Sequence, residues 1–349
     1  MAPGVDVAIL HAEPGPDAGP LARATGDARL DVAERHRRGF LAVGATRADV
    51  LSGPPDGASF GARLRDLATK AGDGGLIVLG SGAIPLATAA DRRELVAAAA
   101  ADRPRALTNN RYSGDVIAIA RAKSVLAKVP DLETDNGLPR WLAEVAGIAV
   151  EDRRTRRRLG IDIDGPLDLV VLGDGWISRL AADATARVRD AVAGVRAVVD
   201  DPRAELVIAG RVSAENVVWL EAHTASRTRA LIEERGLRTR RTDQRPAASV
   251  LGALLERDGP ASIGDHLARL GEAAIVDTRV LLAHHFGADE AAWPASEDRF
   301  ASDLLLPARV SDTWLRALTA SAERAAIPTL LGGHSLVGPG LLLALGRRR

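Results

Sequence analysis

Two carboxylates near the middle of the chain have the spacing of a metal site. Asp162 and Asp164 alternate with Ile161 and Ile163. Residues two apart in a strand point to the same face, so both carboxylates would lie together if this segment is extended. Oxygen ligands of this kind suit Mg²⁺. The same pattern fits an edge strand with a solvated face, and the residues alone leave both interpretations open.

A cluster of amide, guanidinium and carboxylate side chains follows the short apolar segment 105–108. Its candidate ligand-binding members are Asn109, Asn110, Arg111 and Asp115. Asn amides can bind a base or a sugar, and an arginine can bind phosphate through two parallel hydrogen bonds. Asn-rich segments are also common in hairpin turns. We favour a substrate-binding loop, because the only tyrosine of the chain, Tyr112, lies within it.

Histidines in the second half offer a different chemistry. The residues that could form an acid–base or metal site are Asp277, His284, His285 and His334. Imidazoles titrate near neutral pH and bind metals, which makes such a set worth considering. Their spacing matches no established metal motif. Three separate structural histidines are the alternative interpretation.

A glycine-rich turn in the segment 76–88, LIVLGSGAIPLAT, predicts another binding site. An apolar run that ends in glycines and continues into a polar helix start is typical of a buried parallel strand, a turn and a helix. Ligands of open α/β sheets bind just beyond the carboxyl ends of strands. We therefore expect Ser81 and Gly82 to contact a ligand.

The elements that would position these residues alternate between strand and helix. In the first half, strands are predicted at 5–10, 76–79, 105–108, 116–120 and 159–163, a long loop at 12–26, and helices at 59–71 and 88–101. This alternation indicates a three-layer α/β fold. The second half is predicted to be mainly helical, with one helix over 213–235. We place the boundary between a domain 1–172 and an extension 173–349.

Composition excludes several classes of protein. The 349 residues carry 46 basic and 46 acidic side chains, which argues against a nucleic-acid partner. The chain has no cysteine, so disulfides, thiolate catalysis and Cys-ligated zinc are excluded. No apolar run reaches the length of a membrane span and no leader peptide is evident, which predicts a cytoplasmic protein without a membrane partner.

The order of motifs in the first half resembles the MobA-like nucleotidyltransferases. The strand at 76–79 is followed by Pro85-Leu86, then Asn109-Asn110-Arg111, and the segment closes with 160–169, GIDIDGPLDL. The likeness is greatest to the phospholactate guanylyltransferases of cofactor F420 biosynthesis and covers roughly residues 73–172. The resemblance implies a nucleotidyltransferase-like (GT-A or Rossmann-like) sheet. It also implies Mg²⁺ held by Asp162 and Asp164, and substrate held by the loop 109–115.

Two positions depart from the family pattern. The family has a Gly-rich loop with Arg and Lys after its first strand, whereas this chain has Pro14 and Pro16 there and no nearby lysine. Prolines lack the backbone N–H that a phosphate-binding loop uses. The family also carries a metal-binding Asp before its Pro-Leu pair, where this chain has residues 81–84, SGAI. These changes predict that ordinary transferase chemistry has been lost or moved to other groups.

We therefore expect a divergent nucleotidyltransferase-like protein whose partner is a nucleotide, a sugar phosphate or a phosphorylated small acid. One alternative is a non-catalytic assembly or regulatory protein, in which the second half forms a partner or homodimer surface. Another alternative is an enzyme with a site between domains, built from Asp277 and the three histidines.

Overall fold

The computed structural model describes residues 4–53, 57–133, 135–235, 237 and 245–346. Two compact units divide the chain. The N-terminal unit contains the residues up to Asp17 together with Gly26–Ile163, and the C-terminal unit contains Ala18–Thr25 and the chain from Asp164 onward.

A six-stranded sheet forms the centre of the N-terminal unit. Its strands are β1 (Val5–Ala12), β2 (Arg47–Gly53), β3 (Gly75–Gly80), β4 (Arg105–Thr108), β5 (Val116–Ile119) and β6 (Ala149–Asp152). Their order across the sheet is β2-β1-β3-β5-β4-β6, and only β5 runs antiparallel to its neighbours. The carboxyl ends of five strands and the beginning of β5 therefore meet at one edge of the sheet.

Helices cover both faces of this sheet. They are α1 (Pro20–Ala42), α2 (Phe60–Ala71), α3 (Ala89–Ala99), α4 (Ala122–Leu126) and α5 (Leu138–Glu144). Alternate residues of β1 enter different cores, since Val7 and Ile9 pack with α1 and α3 whereas Ala8 packs with α2 and α4. The period of two in a strand explains this division.

A four-stranded parallel sheet forms the centre of the C-terminal unit. Its strands are β7 (Glu205–Gly210), β8 (Arg227–Ile232), β9 (Ala273–Asp277) and β10 (Thr329–Gly332), in the order β10-β9-β7-β8. The helices of this unit are α6 (Pro166–Leu172), α7 (Asp174–Ile177), α8 (Ala182–Val199), α9 (Ala214–His223), α10 (Val250–Asp258), α11 (Ile263–Ala268), α12 (Thr278–Phe286), α13 (Ser296–Asp303), α14 (Thr313–Glu323), α15 (His334–Val337) and α16 (Leu341–Ala344).

The α/β class predicted from the sequence is confirmed, and so are two helix starts. Ser59 caps α2 by accepting a hydrogen bond from the backbone N–H of Ala62. Thr88 and Asp91 form a reciprocal capping box at the start of α3. Both signals are local, because the cap and its partner are three residues apart.

Three predicted elements were wrong. The predicted loop 12–26 ends at Pro20, where α1 begins with the fixed backbone of proline at its start. The predicted strand 159–163 is reduced to an isolated bridge between Ala83 and Asp162. The predicted helix 213–235 ends at His223, and Arg227–Ile232 instead pairs with β7. The second half therefore has a full parallel sheet rather than a few strands among helices.

Within the residues that the structure describes, no helix combines the length and apolar character needed to cross a membrane.

Candidate functional site

The glycine-rich turn follows β3, beside the point at which the strand order of the N-terminal sheet reverses. β2 pairs with one side of β1 and β3 pairs with the other side, so the carboxyl ends of β1 and β3 border a topological switch point. The Nδ1 atom of His11 on β1 lies 3.0 Å from the hydroxyl oxygen of Ser81, just after β3. Burial lowers the pKa of His11, and the nearby Arg29 lowers it further. The imidazole is therefore neutral at physiological pH.

Backbone hydrogen bonds fix the shape of this turn. The N–H of Ser81 donates to the carbonyl of Leu10 at 2.9 Å, and the N–H of Ile84 donates to Ile161 at 3.0 Å. Ile84 has a φ of 43° although its side chain is fully buried. A left-handed conformation is a genuine outlier for a β-branched residue and costs of order 1–3 kcal/mol. The surrounding contacts hold the strained residue in place.

A buried histidine, His36, contacts the backbone of the glycine-rich turn. The Nε2 atom of His36 on α1 lies 2.9 Å from the carbonyl oxygen of Ala83, and its Nδ1 lies 3.3 Å from the guanidinium of Arg92. Burial lowers the pKa of His36 to about 4. His36 therefore remains neutral, with Nε2–H as the donor to Ala83 and Nδ1 as the acceptor from Arg92.

Two glycines of the turn have different surroundings. A Cβ added to Gly82 would lie 2.8 Å from Asp162 Oδ1 and 2.9 Å from the carbonyl oxygen of Ile163, so Gly82 is required for close packing of its own chain. A Cβ added to Gly80 would meet no atom within 4 Å. Gly80 therefore has open space beside it, whereas Gly82 is packed against its own chain, and ligand contact at Ser81 and Gly82 stays a prediction.

Asn109 and Asp115 hold the loop after β4 in place. The Asn109 side-chain amide donates to Asp115 Oδ2 at 2.8 Å and to the carbonyl of Leu159 at 2.9 Å. Its Oδ1 accepts from the backbone N–H of Asp115 at 3.0 Å. The carbonyl of Asp115 in turn accepts from the N–H of Gly80 at 3.3 Å. These contacts join the loop to the glycine-rich turn and use the hydrogen-bonding groups of Asn109 internally.

Arg111 differs from its neighbours in this loop. Asn110 Oδ1 accepts from the N–H of Tyr112 at 2.9 Å, as in a local turn. Arg111 Nε is buried, and no acceptor for it lies among the residues described. An unpaired buried donor is costly, so a ligand oxygen at this position would be stabilising.

The two carboxylates predicted to hold Mg²⁺ belong to different units. Asp162 is half-buried in the N-terminal unit, and Asp164 is exposed in the C-terminal unit. Across the described parts of the chain, no group of three or more His, Asp or Glu side chains is arranged to hold a metal. The metal site at Asp162 and Asp164 therefore stays a prediction.

The C-terminal sheet has its own polar edge. β8 pairs with one side of β7 and β9 with the other side, so Arg211 after β7 and Asp277 at the end of β9 border a second switch point. The guanidinium of Arg211 binds both Asp277 oxygens, at 2.6 and 3.0 Å. Arg211 and, to a lesser degree, His334 hold the pKa of the buried Asp277 carboxyl below its usual value. Arg279 forms a similar pair with Asp303, at 2.5 and 2.6 Å.

The four residues of the predicted His/Asp site do not form one cluster. Asp277 caps the start of α12, whereas His284 and His285 lie in its last turn, about 10 Å further along the helix axis. His284 Nδ1 accepts from the N–H of Ser249 at 3.2 Å, and the ring of His285 stacks on Trp314 with centroids 4.5 Å apart. Of the three histidines, His334 at the start of α15 is the one that contributes to the electrostatics of Asp277.

Several residues of these edges were not identified from the sequence. They are His11, Arg29, His36, Arg92, Asp168, Arg211, Arg279 and Ser335. The signal that could have found Arg211 is its position directly after the apolar strand β7, and Asp168 stands at the third position of α6, where a capping carboxylate is common. His36 and Arg92 lie inside helices and carry no such signal.

Comparison with models of known protein families gave no match, and comparison with curated proteins gave none either. The function of the chain must therefore be inferred from its own residues.

Proposed function

We propose that the N-terminal unit binds a nucleotide, or another phosphorylated small molecule, at the edge bordered by Gly80 and Arg111. The unit would be nucleotidyltransferase-like in fold without ordinary metal-dependent transfer. Gly80 ends β3, and Arg111 follows the end of β4, which runs in the same direction. Both residues therefore lie at the carboxyl edge of one sheet.

The proposal rests on the combination of open space beside Gly80 with a hydrogen-bond donor of Arg111 that has no acceptor among the described residues. The Cβ position of Gly80 is empty to a distance of 4 Å, and Arg111 Nε is buried without an acceptor among the described residues. A phosphate oxygen would accept from Arg111 with a charge-assisted hydrogen bond. The backbone of the turn beside Gly80 would then contact the remainder of the ligand.

The residues behind the edge have a supporting role in this proposal. Strain at Ile84 is tolerated because hydrogen bonds from Ser81, Ile84 and His36 fix the turn. Strained conformations tend to occur at binding and catalytic sites, where a rigid shape reduces the entropy lost on binding. His11 and Ser81 are both buried, so their role would be to hold the ends of β1 and β3 together.

The fold and the motif order support the nucleotidyltransferase-like part of the proposal. A mixed sheet with one reversed strand and helices on both faces agrees with the three-layer architecture that the resemblance implies. The missing carboxylate in residues 81–84 and the prolines after β1 favour binding over transfer. The proposal assigns no role to Mg²⁺, because no group of three or more metal-ligating side chains is found among the described residues.

Thermal unfolding with a panel of ligands tests the proposal. GTP, CTP, ATP and inorganic phosphate would be added separately, in EDTA and in MgCl₂, with guanosine as the control that lacks phosphate. At a ligand concentration 100 times its Kd, about 2.7 kcal/mol of stabilisation is expected and Tm rises. Stabilisation by a phosphorylated ligand but not by guanosine supports the proposal. An unchanged Tm with every phosphorylated ligand overturns it.

A further inference from the structure

Ser335 and Asp168 form a polar pair at the edge of the C-terminal sheet. Ser335 is the second residue of α15, which is separated from the end of β10 at Gly332 by Gly333 alone. Its hydroxyl donates to Asp168 Oδ1. Ser335 is half-buried, whereas Asp168 is 4% exposed. Ser335 is therefore partly open to solvent, whereas the carboxylate of Asp168 is protected.

Neighbouring backbone groups orient the carboxylate. Asp168 Oδ2 accepts from the N–H groups of Asp164 and Gly165, each at 2.8 Å. A nucleophile in contact with a base, with that base fixed by a third group, is the general arrangement for covalent catalysis by hydroxyl side chains. Asp168 meets the requirement for a base held in place by other groups, because both of its carboxylate oxygens accept hydrogen bonds.

Charged groups around the pair influence the protonation of Asp168. Burial and, to a lesser degree, the negative charge of Asp164 together raise the pKa of Asp168 to about 7. The guanidinium of Arg279 lies beside Gly333, since a Cβ added there would be 3.6 Å from Arg279 Nε. Asp303 and Asp277 offset that positive charge, and His334 interacts with Asp277. A base with a pKa close to the working pH is effective in proton transfer.

We propose that Ser335 is a nucleophile for acyl transfer from small activated esters, with Asp168 as its general base. The Ser335 Oγ attacks the ester carbonyl carbon and its proton moves to Asp168. The C–O bond to the alcohol breaks, and the alcohol leaves with that proton. Water then attacks the acyl-serine, Asp168 takes the proton of the water, and Ser335 regains a proton as the carboxylic acid leaves.

The local chain partly agrees with a known catalytic serine geometry. Gly333-His334-Ser335 supplies Gly-x-Ser between a parallel strand and a helix, the context in which a nucleophilic serine is exposed above a sheet. Val337 replaces the final glycine of that motif, and Ser335 has no positive φ. The proposal therefore depends on the Ser335–Asp168 contact rather than on a strained turn.

Ser81 provides an internal comparison. Its hydroxyl also contacts a base, His11, but Ser81 is only 5% exposed. A reagent that requires an accessible, activated hydroxyl should distinguish the two serines and react with Ser335.

A fluorophosphonate reagent tests this inference on the full-length protein. Ser335 Oγ would bond to phosphorus, fluoride would leave, and the proton would pass to Asp168. Intact mass should show one adduct, and peptide mapping of the wild-type chain should locate it on Ser335. The rate should increase as pH rises through about 7, in accord with the pKa of Asp168.

Variants separate chemistry from folding. Asp168→Asn keeps the acceptor for the backbone N–H groups and should lower the labelling rate at least tenfold. Ser335→Ala should not be labelled, and the exposed Ser296→Ala should match the wild type. An adduct at another residue, no adduct on wild-type protein, or an unchanged rate in folded Asp168→Asn would overturn the inference. None of these readouts depends on nucleotide binding.

Discussion

His11 and Ser81 join the ends of two neighbouring parallel strands through a 3.0 Å contact between Nδ1 and Oγ. Both side chains are buried, with 6% of His11 and 5% of Ser81 exposed. The contact lies where β2 and β3 flank β1. It therefore lies at a switch point of the strand order, the position at which open α/β sheets generally bind ligands.

Ser81→Ala should destabilise the N-terminal unit by about 1–3 kcal/mol, because it leaves the buried Nδ1 of His11 without a partner. Urea unfolding of the two proteins measures this difference. The exposed Ser113→Ala is the matched control, since its hydroxyl contacts Asn136 at the surface, and it should change stability by less than about 0.5 kcal/mol. An equal free energy of unfolding for Ser81→Ala and wild type would show that the contact between His11 and Ser81 does not stabilise the fold.

Arg111→Gln should weaken binding of the phosphorylated ligand about tenfold, which corresponds to about 1.4 kcal/mol. The physical reason is the loss of a guanidinium whose buried Nε has no acceptor among the described residues. Arg154→Gln is the control, because this nearby arginine lies over the Tyr112 ring and beside Asp152. Calorimetric Kd values should change for the first variant and remain within twofold for the second. A greater loss for Arg154→Gln would contradict the assignment.

His36→Gln should reduce the acid sensitivity of folding. The unfolded chain protonates this histidine below about pH 6.5, whereas folded His36 stays neutral until about pH 4. Stability is therefore complete above the unfolded pKa and is lost as pH falls through this window. At pH 4.5 the loss due to His36 is about 2.5 kcal/mol. Glutamine keeps a donor for Ala83 and an acceptor for Arg92 while removing the titration.

Urea unfolding of wild type and His36→Gln at pH 7.5 and pH 4.5 measures this effect. The wild-type protein should lose more stability than the variant between these values. Identical losses would mean that His36 does not remain neutral in the folded protein.

Removal of divalent metal should have little effect on ligand binding. No suitable metal-ligating group lies among the side chains that the structure describes, and Asp162 and Asp164 belong to separate units. The Kd for GTP should change less than threefold between EDTA and MgCl₂, and Asp162→Asn should not alter that ratio. A loss of binding in EDTA, together with a defect in Asp162→Asn, would instead restore the magnesium site that the sequence predicted.

Local patterns predicted the parts of the fold that depend on neighbouring residues. The strand at 76–79, its glycines and the helix capped by Thr88 could be recognised because strand, turn and cap lie within 13 residues of sequence. The sequence did not predict β8. A helix was predicted through residues 227–232, whereas these residues pair with β7, a contact that the local pattern does not contain.

Long-range pairs limited what could be predicted about the candidate sites. His11 and Ser81 are 70 residues apart and meet only if β1 and β3 are neighbours. Arg211 and Asp277 are 66 residues apart, and Asp168 and Ser335 are 167 apart. Strand order decides the first two contacts and the packing of α6 against α15 decides the third, and no local periodicity carries that information. The sequence therefore identified Ser81 and Asp277 as candidate site residues but not their partners His11 and Arg211.

Binding of GTP to Gly80→Leu tests the central claim most directly. Leucine at this position meets no protein atom within 4 Å of its Cβ and needs no positive φ, so the fold should be unchanged. The leucine side chain should occupy the space that the proposal assigns to the ligand. Gly175→Leu, at an exposed and equally open glycine, is the matched control. Calorimetry should give a Kd at least tenfold higher for Gly80→Leu than for the wild type and the control. Equal Kd values for folded Gly80→Leu and wild type would contradict ligand binding at this edge.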